Sequence, residues 1–318
     1  MIFDGFGRPV KNLRISITQN CNLRCPYCHR EGEDASHTNL RQMTSQEIIR
    51  LTKIATSIDI GRIKLTGGEP LIRKDILTIV AGIAVHSGLT DLSLTTNGTL
   101  LAPLAEDLHN AGLMRVNVTL PTLRPSIYQQ LINGDLDTVL KGIEAAIAAD
   151  LHPVKINMVA LAGVNEHELP EMITYAQNVG ALLQLIELEP LNLEKTCFER
   201  YHLPLEAVEA DFQARSLNTQ VRRDMQNRRI YHLPEGRVEV IRPFENTEFC
   251  SHCTRLRITS DGKLKPCLMV NNNLIDVLTP LRAGATDTEL AAIFTETCRR
   301  REPFYKKHAS PPSMEVGT

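Results

Sequence analysis

Three cysteines fall within eight residues in CNLRCPYC (Cys21, Cys25, Cys28), and three more lie at Cys250, Cys253 and Cys267. A disulfide uses two thiols and a closed tetrahedral zinc site four ligands, so each triplet is one ligand short of a structural zinc site. Thiolates are soft ligands suited to iron–sulfur clusters and to zinc. Three of them on a four-iron cluster leave one iron open, which is a place to do chemistry. The zinc alternative takes its fourth ligand for the first triplet from His29 or His37. For the second triplet it reads a zinc ribbon, but ribbons usually show two C-x2-C knuckles and here the second has a single cysteine. Cys197 and Cys298 stand alone and read as free thiols.

The elements that must position these residues follow from hydrophobic period. Short β-branched runs at 13–18, 62–66, 91–96, 115–120, 153–161 and 181–188 read as strands. Helical patterns follow at 44–55, 74–88, 101–111, 136–149 and 167–179, the first opened by Thr44 and Glu47 as a capping box. Six βα units in a row imply a parallel sheet with right-handed crossovers, and six is short of a closed eightfold barrel. The fold class expected is therefore α/β, a partial (βα)6 TIM-like barrel with a small C-terminal α+β extension. The first triplet follows the first strand, where a barrel places its active-site loops. After about residue 190 the alternation fades: 191–204 reads as a loop, 204–215 as a helix and 229–243 as two strands joined through PEG. RLRITSDGKLKPCLM reads as a hairpin turning at Asp261–Gly262. The expected division is a barrel over 1–200, a second domain over 201–308 and a mobile tail over 309–318. The basic run CRRREPFYKK, 298–307, reads as the solvated end of a helix, with a role in shielding the substrate as the alternative.

Lysine plus arginine is 35 against 37 acidic residues among 318, so no net charge favours nucleic acid or an acidic membrane, and any anion site must be local. The most apolar stretch, Ile76 to Leu89, is too short to span a bilayer and reads as a buried helix. The N-terminus lacks the pattern of a secretory signal, which points to the cytoplasm, where eight cysteines are not a disulfide framework.

Cys-x3-Cys-x-aromatic-Cys after strand one, with GGEP (67–70) after strand two, resembles the radical S-adenosylmethionine superfamily. LRISIT, GGEPLIR, TTNG, VKIN, GVN and FCSHCTRLRIT with LKPCL resemble, within it, the GTP 3′,8-cyclase family that opens molybdenum cofactor biosynthesis, in its archaeal form. The resemblance runs from about residue 5 to 305. It implies two 4Fe-4S clusters, held by Cys21, Cys25 and Cys28 and by Cys250, Cys253 and Cys267. It implies that Tyr27, Gly68 and Thr119 line the S-adenosylmethionine site. It places Arg14, Lys64, Thr95, Lys155, Thr254, Arg255, Leu256 and Arg257 at GTP. A triphosphate carries about four negative charges, which such cations would offset through charge-assisted hydrogen bonds. Lys64 and Lys155 sit inside apolar strands, where an unpaired charge is costly. Arg14, Arg255 and Arg257 alternate with apolar neighbours, as strand residues do when one face meets a ligand.

The implied enzyme is a lyase. An external one-electron donor would reduce the first cluster, S-adenosylmethionine would yield a 5′-deoxyadenosyl radical, and that radical would take hydrogen from C3′ of GTP. The carbon radical would then attack C8 of the same guanine. The product would be (8S)-3′,8-cyclo-7,8-dihydroguanosine 5′-triphosphate, passed on to cyclic pyranopterin monophosphate synthase. Partners would be GTP and the electron donor, with neither nucleic acid nor membrane, and a homodimer is compatible with the sequence. Three positions depart from bacterial members: Gln184 stands for an arginine, Glu189 for a methionine, and MEVGT replaces a terminal Gly-Gly. The alternatives are a two-cluster enzyme acting on a peptide or another nucleotide, and a non-enzymatic iron–sulfur or zinc module.

Overall fold

A computed structural model describes residues 1–33 and 42–306. His37 and the tail 309–318, with Gly317 and Thr318, lie outside the described residues. The strands are β1 (Asn12–Ser16), β2 (Arg62–Thr66), β3 (Asp91–Thr96), β4 (Arg115–Thr119), β5 (Lys155–Ala160) and β6 (Leu182–Glu187). They are followed by β7 (Asn218–Arg222), β8 (Arg228–Leu233), β9 (Gly236–Ile241), β10 (Arg255–Ile258), β11 (Lys263–Lys265) and β12 (Ile275–Asp276). All lie in one sheet, in the order β12-β11-β10-β1-β2-β3-β4-β5-β6-β9-β8-β7. The six expected strands pair in parallel and in sequence order. The sheet runs on past them. β10 pairs in parallel with β1, and β9 in parallel with β6, so the C-terminal region supplies a strand to each side of the barrel. Antiparallel strands then finish both edges, and the sheet stays open.

Side-chain alternation decides where the core sits and where the site sits. Leu13, Ile15, Ile63, Leu65, Leu92, Leu94, Val116 and Val118 are fully buried under the helices. Their alternating neighbours Arg14, Lys64, Thr95, Arg115, Asn117 and Lys155 line one cavity on the other face. A sheet polar on its concave face has built a binding site there instead of a second core. Helix Ser45–Ser57 starts on the expected box, with Thr44 Oγ1 accepting from the Glu47 N–H and Glu47 from the Thr44 N–H.

Four local readings differ. The stretch taken as a loop after residue 190 contains helix Lys195–Tyr201, and helix Pro125–Ile132 and β7 were not foreseen. NTQVR in β7 is a polar edge strand with no buried face, so its sequence carries no strand period. The basic run is a solvated helix end only in part: Arg299 ends helix Asp287–Arg299 and Arg300 caps it, both exposed, but Arg301 is 1% exposed and Phe304 and Tyr305 line the cavity, the placement the shielding alternative needs. No described helix is long and apolar enough to cross a membrane.

Candidate active site

Both cysteine triplets open onto the same cavity, of about 330 Å³, which lies within the range of small-ligand sites. Cys21, Cys25 and Cys28 enter it on the loop after β1. The GGEP segment after β2 is bound to that loop: the Gly68 N–H donates to Thr18 O at 2.8 Å and the Glu69 N–H to Asn20 O at 2.8 Å. Glycine is required here. Gly67 has φ +145°, and a Cβ on Gly68 would stand 2.2 Å from Asn20 O. Glu69, fully buried, accepts from Thr96 Oγ1 at 2.7 Å and from the N–H groups of Asn97 and Leu71 at 2.7 and 3.0 Å. Burial raises its pKa, and these bonds satisfy the carboxylate. Glu69 thereby ties the ends of β2 and β3 together, and Asn97 in turn reaches Cys21 Sγ at 3.9 Å.

Burial and the neighbouring Cys28 and Cys21 thiols push Cys25 up to about 12. The thiolate is the ligating form, so a metal centre bound here would displace these protons. Among the described residues, no three ligating side chains stand close enough to share a single metal ion. The donor chemistry and the shared cavity fit iron–sulfur clusters at both triplets.

The second triplet is held by its backbone. Arg8 Nη1 donates to Cys250 O at 2.7 Å and Arg301 Nη2 to Cys253 O at 2.5 Å. Both guanidiniums meet Asp4, at 2.8 and 3.3 Å. The N-terminal turn and the segment after the last helix thus clamp this loop. Burial works to raise the Cys253 pKa, but the charges of Arg301, Arg255 and Arg8 outweigh it and lower it.

Of the expected ligand contacts, Tyr27, Gly68, Thr119, Arg14, Lys64, Thr95, Lys155, Arg255 and Arg257 all line the cavity. Thr254 and Leu256 do not. Leu256 is fully buried on the helix-facing side of β10, and the Thr254 hydroxyl is engaged with Asn12 Nδ2 and Asp224 O. Cys197 and Cys298 also lie apart from it, Cys298 inside the core.

The register brings cations together: Arg14 lies beside Lys64 on one side and Arg257 on the other. Glu31 bridges Arg14 at 3.4 Å and Arg257 at 2.6 Å and accepts from Thr66 Oγ1 at 2.9 Å. Burial would raise its pKa, but the two guanidiniums hold it down to about 2. Lys155 pairs with Glu239 at 2.6 Å, both buried. Lys64 and Arg255 have no carboxylate within ion-pair distance among the described residues. Lys64 donates only to Asn117 Oδ1, at 2.8 Å. Desolvation, then Arg115 and Arg14, lower its pKa well below the usual lysine range. Thr95 Oγ1 is buried without a partner. Basic side chains without carboxylate partners and a hydroxyl without a partner, gathered in one cleft among the described residues, suit an anionic ligand.

Glu31, Asn117, Glu239, Arg222 and Arg228 also shape this site and escaped the sequence reading, while Glu69 lies in the GGEP motif but its side-chain bonds to β3 leave no local signal. For Glu239 the signal was present, a charge alternating with valines in RVEVI, as for Lys64.

Residues 15–176 match the Radical SAM superfamily and residues 181–307 the Molybdenum Cofactor Synthesis C family. The chain is 48% identical over 313 residues to a probable GTP 3′,8-cyclase of Thermococcus kodakarensis, covering 96% of this chain and 100% of that one. It is 45% identical to a probable GTP 3′,8-cyclase of Methanocaldococcus jannaschii, over 95% and 99%. Among solved structures it is similar to Streptococcus suis SuiB bound to S-adenosylmethionine, with a TM-score of 0.61 at 15% identity. That match covers 93% of this chain and 65% of the longer SuiB chain. It is also similar to anSMEcpe with bound AdoMet and a peptide, with a TM-score of 0.60 at 18% identity over 89% and 80%. These two likenesses show the fold.

Proposed function

Because the chain belongs to the GTP 3′,8-cyclase family of the radical S-adenosylmethionine superfamily, we propose that its cavity is where GTP becomes (8S)-3′,8-cyclo-7,8-dihydroguanosine 5′-triphosphate, the first step of molybdenum cofactor biosynthesis. S-adenosylmethionine and an iron–sulfur centre come with the superfamily. The count of two clusters is our reading, with Cys21, Cys25 and Cys28 holding the one that meets S-adenosylmethionine and Cys250, Cys253 and Cys267 the one beside the substrate. The observation that carries the substrate assignment is that Lys64 and Arg255, without carboxylate partners among the described residues, line the same cavity as both triplets.

When bound and reduced, the first cluster with S-adenosylmethionine supplies hydrogen abstraction from the ribose 3′ carbon. The chain's own work is positioning. Arg14, Lys64, Lys155, Arg255 and Arg257 bind the triphosphate through charge-assisted hydrogen bonds and so fix where the ribose lies. Tyr27, Gly68 and Thr119 shape the cofactor side. Leu23, Val159, Ile186 and Leu188 line the wall and keep water from a reactive carbon. Ring closure within one molecule needs C3′ and C8 held together, which a clamped triphosphate and a seated base accomplish. The reading includes an external one-electron donor, a cytoplasmic location and delivery of the product to cyclic pyranopterin monophosphate synthase.

The test is anaerobic reconstitution, an iron count, and turnover with S-adenosylmethionine, reductant and each nucleoside triphosphate in turn. About eight irons per chain are expected, as two four-iron clusters require, with 5′-deoxyadenosine formation stimulated by GTP. About four irons would remove the second cluster, formation indifferent to GTP would remove the substrate, and bound zinc without iron would remove the mechanism.

A further inference from the structure

Glu239 is fully buried on β9 and carries more positive charge than one carboxylate neutralises. Its Oε2 accepts from Lys155 at 2.6 Å and from Gln184 Nε2. Its Oε1 meets Arg222 Nη1 at 2.6 Å and Arg228 Nε at 3.4 Å. Three cations on one carboxylate leave an excess of positive charge at the cavity wall.

The hairpin of β7 and β8 creates this arrangement. Arg222 and Arg228 are directly opposite each other in its register, flanking the turn. Like charges facing across a strand pair are destabilising unless something negative sits between them. Glu239 is that group, and it is too little. Arg228 is 5% exposed, and its Nε also donates to Met225 O at 2.8 Å. Its terminal Nη atoms have no partner among the described residues, and both arginines line the cavity.

The same carboxylate is tied to the other cations. Gln184 accepts from Asn117 Nδ2 at 2.6 Å, and Asn117 accepts from Lys64. A line of side-chain hydrogen bonds thus runs from β2 through β4 and β6 to β9, ending where the hairpin arginines begin. Lys64 at one end and Arg228 at the other are fixed relative to each other, as recognition of one extended anion requires.

We propose that Arg222 and Arg228 form a second phosphate-contacting pair, with Glu239 as their positioning residue, and that this pair makes the site select a nucleoside triphosphate over the mono- and diphosphate. The proposal rests on the reading of the cavity as a nucleotide site. On this proposal Arg222 and Arg228 meet the phosphates and not the base, so their loss is expected to leave recognition of the base intact.

The experiment measures equilibrium binding of GTP, GDP and GMP to the reconstituted enzyme without reductant. Arg228→Met is expected to weaken GTP about 10- to 100-fold and GMP less than about threefold, the loss of one or two charge-assisted hydrogen bonds. Arg228→Lys, which keeps the charge, is expected to restore part of the preference. Glu239→Gln, which frees the arginines without removing them, is expected to narrow the GTP-to-GMP ratio without abolishing GMP binding. If Arg228→Met fails to fold, Arg222→Met, on the more exposed arginine, carries the same expectation. An equal loss for GTP and GMP in these variants, or an unchanged ratio, overturns the proposal and leaves the nucleotide reading standing. A wild-type protein that binds none of the three overturns that reading as well.

Discussion

Replacing Cys25 with alanine is expected to bring S-adenosylmethionine cleavage below detection and to halve the iron, from about eight to about four per chain. A cluster left with two of its three cysteine ligands is not expected to be held. The same variant should keep GTP affinity within about threefold, because the cations assigned to the phosphates sit on β1, β2, β5 and β10 and not on the loop. Cys197→Ala is the matched control: that thiol lies outside the cavity, in helix Lys195–Tyr201, and activity and iron should be unchanged. Iron content and 5′-deoxyadenosine measured on the two variants side by side decide the matter. A Cys25→Ala protein that still cleaves the cofactor would show that the first triplet is not the catalytic ligand set.

Lys64→Met carries the second large effect, because it separates binding from folding. The ammonium is crowded by Arg115 and Arg14 and donates only to Asn117 Oδ1. Removing it costs one hydrogen bond and leaves the Asn117 Oδ1 acceptor without that donor, while taking a buried basic group away from Arg115 and Arg14, so stability should stay within about 1–2 kcal/mol of wild type. Nucleotide affinity should nonetheless fall about 10- to 100-fold, the value of a charge-assisted bond made in a desolvated site. Denaturant unfolding and GTP binding on the same preparation are the measurements. A variant that unfolds several kcal/mol more easily with GTP affinity intact would assign Lys64 to the architecture and not to the ligand.

The barrel strands were legible because each is a half-buried run of period two, and the structure places all six within about two residues of their expected bounds. Where both faces of a segment are spoken for, the period says so at once: Leu13 and Ile15 face the helices while Arg14 faces the cavity. Pairing between distant segments leaves no such trace. Nothing local in RVEVI or RLRI says that β9 and β10 end on opposite sides of the barrel. The same gap hid the partners of the cations. Lys155 was singled out as a costly buried charge, but its answer, Glu239, lies 84 residues away. Arg301 was lost in a basic run, since no spacing distinguishes the one guanidinium that folds under Cys253 from those that stay in water. Thr254 and Leu256, carried over with the motif around them, show the converse. A residue between two ligand-facing arginines in a strand faces the other way.

GTP labelled with deuterium at C3′ tests the central claim most directly, by mass spectrometry of the 5′-deoxyadenosine formed in a single turnover of the reconstituted enzyme. The account predicts one deuterium in the 5′-deoxyadenosine from the 3′-labelled substrate and none from GTP labelled at other ribose carbons. Unlabelled 5′-deoxyadenosine from the 3′-labelled substrate would contradict it.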